Sequence, residues 1–161
     1  MAKVLQFMQN NKNVTITELK KEAMQFHEEL NRIKSRIQPS PNFFYPYGIL
    51  NNFIHLENLL KDKYPNLLEF TENNLIADIG AADGDLSFFL EKKYNIHSHI
   101  IDYGPTNFNN LQGIKLLKKE LGSDVEINEI DLNSTFKLPN AIYDLVFFLG
   151  ILYHLENPYY V

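Results

Sequence analysis

From Leu75 to Leu149, short apolar runs alternate with amphipathic stretches, and this alternation admits few architectures. Leu75 to Ile79 reads as a strand, followed by a glycine-containing turn and a helix over roughly Asp85 to Lys93. Ile96 to Ile101 is a second strand. Leu111, Ile114, Leu117 and Leu121 then fall on one face of a helix that Gly122 should stop. Val125 to Ile130 is a third strand and Tyr143 to Leu149 a fourth. Strands that alternate with helices predict an α/β fold whose parallel sheet is joined by right-handed crossovers. No internal repeat is present.

The part before Leu75 has a different character. Thr15 and Glu18 form a capping box, and Leu19, Ala23, Phe26, Leu30, Ile33 and Ile37 recur at helical spacing. Pro39 and Pro41 should end that helix. It is read as a packing helix. A substrate-gripping arm using Lys20, Lys21, Arg32, Lys34 and Arg36 is the other reading, opposed by the interleaved Glu18, Glu22, Glu28 and Glu29. An aromatic run, Phe43-Phe44-Tyr45-Pro46-Tyr47-Gly48, leads into a second helix expected from Ile49 to Lys63, with Leu50, Phe53, Ile54 and Leu60 as its apolar face. The aromatics serve either core packing or a pocket wall, with packing favoured. The chain thus divides into an N-terminal helical segment, residues 1–64, and an α/β part, residues 65–161.

Composition narrows the function classes. The chain has 161 residues, 45% hydrophobic and 22% charged, enough for one domain with a real core. It has no Cys, which excludes disulfides, thiolate metal sites and a cysteine nucleophile and fits a cytoplasmic protein. No apolar run approaches the length of a membrane span. A net charge of −5 argues against a broad nucleic-acid-binding surface, although a local basic groove stays possible.

The chemistry centres on Asp78-Ile79-Gly80-Ala81-Ala82-Asp83-Gly84, where the first strand becomes a helix. Ligands of parallel sheets bind at the carboxyl ends of the strands. Gly80 and Gly84 let backbone approach a ligand with no Cβ in the way. A phosphate loop would need Gly-Lys-Ser/Thr, whereas Asp85 and Leu86 follow Gly84. Ala82 and Asp83 likewise interrupt a dinucleotide pattern. The carboxylates of Asp78 and Asp83 should repel phosphate and suit a ligand that carries positive charge.

The stretch Leu75–Ser87 resembles motif I of the class I S-adenosylmethionine-dependent methyltransferases, with Asp78, Gly80 and Gly84 on the pattern and Ala82 in place of its middle glycine. The resemblance implies a Rossmann-like, doubly wound parallel sheet whose loop, Ala81 included, faces the methionine end of S-adenosylmethionine. It implies that Asp102, at the end of the second strand, accepts hydrogen bonds from the ribose hydroxyls. Asp131, with Leu132 beside it, would meet the adenine amino group. The bland readings, a strand-end turn at Asp102 and a loop-initiating Asp131, stand beside these. Leu149 would close the pocket after the fourth strand. Gly150-Ile151-Leu152-Tyr153-His154 is similar to a short run in the enzymes that carboxymethylate wobble uridine in transfer RNA. There His154 is a candidate general base and Tyr153 a candidate pocket wall or acid–base group. That reading also requires a cationic side chain to hold the extra carboxylate of its cofactor.

Enzymes of the resembled class have a seven-stranded sheet in the order 3-2-1-4-5-7-6, and this chain reaches the fourth strand. Ending at Pro158-Tyr159-Tyr160-Val161, it is expected to be a fragment or an early-terminated reading frame, or else to rely on another chain for cover. Its fourth strand would be uncovered and able to mediate self-association. The expected function is methyl transfer to an unidentified acceptor. The alternatives are an inactive or non-catalytic cofactor-binding fragment and a tRNA-modifying transferase.

Overall fold

A computed structural model of the chain describes residues 13–134, 136–138 and 141–159. The first twelve residues of the N-terminal segment, and the last two of the chain, lie outside that range.

Helix α1 runs from Ile16 to Ile37, and its capping box forms as the sequence requires. The Thr15 hydroxyl accepts the Glu18 N–H at 3.2 Å, and the Glu18 carboxylate accepts the Thr15 N–H at 2.8 Å. Ile16, Leu19, Ala23, Phe26 and Leu30 are buried, and the stripe continues to Lys34. Ile33 and Ile37 pack only at its margin. Three of the five basic residues of the gripping-arm reading are engaged within the fold. Lys20 pairs with Glu57 and Arg36 with Glu120, while Lys34 is buried against two aspartates.

A 3-10 turn at Ile49–Asn51 opens helix α2, Asn52–Leu60, which ends three residues before the expected Lys63. Leu50 and Phe53 face the core, whereas Ile54, one step round the helix from Phe53, is exposed. Helix α3, Asp85–Tyr94, is buried from Asp85 to Leu90 and again at Tyr94, because it is sandwiched. Its Phe89 ring lies 5.7 Å from Phe26 of α1 and 5.6 Å from Phe53 of α2, centre to centre. Helix α4 spans Gln112–Leu121 and ends on Gly122 in the left-handed conformation, the stop read from the sequence.

Four strands, β1 (Leu75–Ile79), β2 (His97–Asp102), β3 (Glu126–Glu129) and β4 (Leu145–Phe147), form one all-parallel sheet. Their order is β3-β2-β1-β4. Registers pair Asp78 with Ile100 and with Phe147, and Ile100 with Ile127. The outer strands are shorter than their apolar runs, since each is paired along only one edge.

The two faces of the sheet are covered differently. Ile76, Ile100 and Phe147 meet side chains from all four helices in one continuous core, which joins the N-terminal helices to the sheet without a break at residue 65. Ala77, Ile79 and Ile101 point the other way. That face is covered by Leu132, Phe136, Leu138, Tyr143, Phe148 and Ile151, residues of the connection after β3 and of the exit from β4. β4 is an edge strand, and Val146 on it is exposed. Among the described residues no helix is long and apolar enough to cross a membrane.

Candidate functional site

The strand-to-helix turn after β1 is held by its backbone conformations. Gly80, Ala82 and Gly84 all have positive φ, of 70°, 53° and 81°. Glycine adopts this region freely, but a Cβ there costs roughly 1 kcal/mol, so the alanine at 82 carries local strain. Its peptide is clamped on both sides. Ala82 N–H donates to the Asp102 carboxylate at 3.2 Å, and Ala82 C=O accepts the Asn107 amide at 2.9 Å. Gly80 N–H donates to the Ile101 carbonyl at 2.9 Å, which ties the turn to β2.

Asp102 stands at the carboxyl end of β2 and gathers three donors. Ala82 N–H and the Asn107 amide reach Oδ2, and Tyr103 N–H reaches Oδ1 at 2.8 Å. A carboxylate offers about four acceptor positions, so about one is not taken by these donors. Burial pushes the Asp102 carboxyl above the ordinary range, and these three hydrogen bonds oppose the shift.

Above this floor, at the carboxyl ends of the strands, opens a cavity of about 550 Å³. Gly80, Ala82, Asp102 and Asn107 border it from the sheet side. Leu149, Gly150, Tyr153 and His154 border it from the exit of β4, and Tyr45, Tyr47 and Asn52 from the N-terminal segment. A second cavity of about 150 Å³ adjoins it, sharing Asp102, Thr106, Ile151 and His154, and reaches Asp131 and Leu132. Asp131 Oδ1 accepts Asn133 N–H at 2.9 Å in a local turn. The Tyr153 and His154 rings are 4.1 Å apart, centre to centre, on a 3-10 turn over Leu152–His154. Both are exposed.

The structure therefore brings Gly80, Asp102, Asp131, Leu132, Leu149, Tyr153 and His154 to two adjoining cavities. Asp78, Ala81 and Gly84 border neither. Asp78 is buried beneath the turn, where it accepts the Ser87 hydroxyl at 2.8 Å. Burial drives its carboxyl up to about 7, with the Ser87 bond opposing. Gly84 leads into α3, and a Cβ there would sit 3.0 Å from both Phe88 and Ile100. Ala81 is part of the core.

Asp83 also turns away from the cavities, which corrects the idea that its charge faces a ligand. It accepts Tyr45 N–H at 2.7 Å and the Asn109 amide at 2.7 Å, and Lys34 Nζ lies 3.3 Å away. The same ammonium is 2.7 Å and 2.9 Å from the two oxygens of Asp85, with hydrogen-bond geometry to Oδ2. Asp102, not Asp83, supplies the negative charge at the cavity. Sequence reading missed Asn107 and Phe108. The cluster of asparagines at 107, 109 and 110 after Pro105 signals a side-chain-stabilised turn, but nothing local says that the turn meets a glycine loop. The aromatic run divides: Phe44 is in the core, while Tyr45 and Tyr47 line the larger cavity.

No family model, no curated protein and no solved structure matches the chain.

Proposed function

We propose that this chain forms the cofactor-binding part of a class I S-adenosylmethionine-dependent methyltransferase. The observation that carries the reading is Asp102: a carboxylate at the end of the strand beside β1, bonded to the glycine turn and open to both cavities. The strand order β3-β2-β1-β4 agrees with the first four strands of the resembled fold. The donor set fits a sulfonium ligand. Among the described residues the two linings hold Asp102 and Asp131 but neither Lys nor Arg.

Bound S-adenosylmethionine supplies an activated methyl group on a cationic sulfur. In this reading the remaining acceptor position of Asp102 takes a ribose hydroxyl, and the small cavity beside Asp131 and Leu132 takes the base. The backbone of Gly80 and Ala82 lies along the methionine end. Methyl transfer is an in-line displacement, so the protein contributes mainly orientation and field. The preset Ala82 peptide and the Asp102 carboxylate provide both. In this reading His154, which borders both cavities, takes a proton from the acceptor. The uridine-carboxymethylating reading gains no support, because no described lining residue carries the cation that its carboxylated cofactor requires.

Calorimetric titration of the chain with S-adenosylmethionine and S-adenosylhomocysteine tests the proposal. Both should bind, and Asp102→Asn should weaken them about 10-fold, the difference between a charge-assisted and a neutral hydrogen bond. A folded chain that binds neither overturns it.

A further inference from the structure

Three exposed aromatic rings stand at the mouth of the larger cavity. Tyr47 is 71% exposed, Phe108 52% and Tyr153 76%. Rings of this size contribute little to stability when left in water, so their gathering at one opening calls for another account. They come from three separate parts of the chain: the aromatic run before α2, the loop after β2, and the exit of β4. Partly buried Tyr45 links two of them. Its ring centre is 5.4 Å from that of Tyr47 and 5.8 Å from that of Phe108, in edge-to-face contacts.

The backbone is held beside Tyr45 and on both sides of Phe108. Tyr45 N–H is held by buried Asp83 at 2.7 Å. Phe108 sits between two asparagines whose side chains make four and three hydrogen bonds. Asn107 donates to Ala82 C=O and to Asp102, and its carbonyl accepts Asn109 N–H and Leu111 N–H. Asn109 donates to Asp83 and to the Phe43 carbonyl, and accepts Gly113 N–H. Held backbone thus presents the Phe108 ring, and Tyr45 beside it, as part of a preorganised binding surface.

Charge decides what such a surface takes. A ring face attracts a cation, and aromatic walls are the usual receptor for organic ammonium groups. Asp102 lies deeper in the same cavity, and no Lys or Arg borders it among the described residues. An anionic acceptor would find no Lys or Arg there among the described residues. Resting on the methyl-transfer reading above, we infer that the methyl acceptor is a small organic amine, received as its ammonium ion by the ring wall of Tyr45, Tyr47, Phe108 and Tyr153. For transfer, the ammonium gives one proton to the neutral imidazole of His154, which frees the nitrogen lone pair. The nitrogen–carbon bond then forms as the sulfur–carbon bond breaks. Sulfur keeps that electron pair and becomes a neutral thioether, and the product is the methylated ammonium.

The test is calorimetry on the chain saturated with S-adenosylhomocysteine, using three probes of one shape class: phenyltrimethylammonium, benzyl alcohol and benzenesulfonate. The expected order of affinity is cation over neutral over anion. Tyr47→Leu and Phe108→Leu, at exposed positions that the fold does not need, should each weaken the cation about 2- to 5-fold and leave S-adenosylhomocysteine binding unchanged. Equal binding of benzyl alcohol and the cation, tighter binding of benzenesulfonate, or no effect of either variant overturns the inference. So does mutual exclusion of the cation and S-adenosylhomocysteine, which would give the rings to the cofactor. Failure of S-adenosylhomocysteine to bind at all removes the acceptor assignment together with the methyltransferase reading.

Discussion

Lys34 shows how much one side chain organises here. It lies on the buried stripe of α1, one helical step beyond Leu30, with its ammonium between Asp83 and Asp85 and 5.4 Å from the centre of the Phe44 ring. Through Asp83 it connects α1 to the backbone of Tyr45, and through Asp85 to the first turn of α3. Removing one partner of a buried charge group costs about 3–5 kcal/mol, because the remaining charge stays desolvated. Lys34→Met should therefore lower unfolding stability by about 3 kcal/mol, read from the urea midpoint at constant slope. The role was illegible in the sequence. The spacing from Leu30 favours Ile33 and Ile37 as the next core positions, and a lysine reads as solvated until its two aspartates, 49 and 51 residues away, are seen beside it. Asp102 was legible, since a strand end and a glycine turn fix its place in any parallel sheet.

At the scale of elements, the turn after β1 and the exit of β4 are one device. A Cβ on Gly80 would run into the side chain of Ile151, so the two segments touch through the space a glycine leaves. Two costs are stacked at this position, the positive φ and the steric overlap, and they are separable. Gly80→Ala should destabilise the chain by about 1 kcal/mol for the backbone alone, with the clash added. In a Gly80→Ala/Ile151→Ala pair, measured against Ile151→Ala, only the backbone part should remain. A thermal or urea unfolding cycle over the four proteins reads the coupling, and strict additivity would mean that Ile151 does not rest on Gly80. The elements themselves were largely visible beforehand. β1 matches its expected bounds, and α3 and α4 fall where their periodicity places them. The ends of α2, β3 and β4 were not visible. Apolar runs continue past the last paired residue, and pairing depends on neighbours that a local pattern does not name.

For the molecule as a whole, buried carboxylates set the response to pH. Asp78, Asp85 and Asp102 all have carboxyls raised by burial, Asp78 to about 7 from 3.8. A raised acid holds its proton more tightly in the folded chain, so the native state binds more protons than the unfolded one between those values. Through Asp78, stability should then fall as pH rises from about 4 to about 7, with Asp85 and Asp102 adding in the same direction. Lys34 beside Asp85 and the donors around Asp102 oppose the trend without reversing it. Glu18 and Glu57, both lowered from 4.5, act in the opposite sense only below that pH. Asp78→Asn, which retains an acceptor for Ser87, should flatten the slope in unfolding curves taken at three pH values across the window. An unchanged slope would assign the effect to the other two carboxylates. The single core reaching from α1 to the sheet also has a consequence for synthesis. Asp83 leaves the ribosome 49 residues after Lys34, which at about 5–20 residues per second is a wait of roughly 2–10 s. During that interval the apolar stripe of α1 has only the Ile49–Asn51 turn and α2 to cover it, without α3 or the sheet. A charged residue within the stripe then serves the nascent chain as a gatekeeper against aggregation, before it serves the folded one as an anchor.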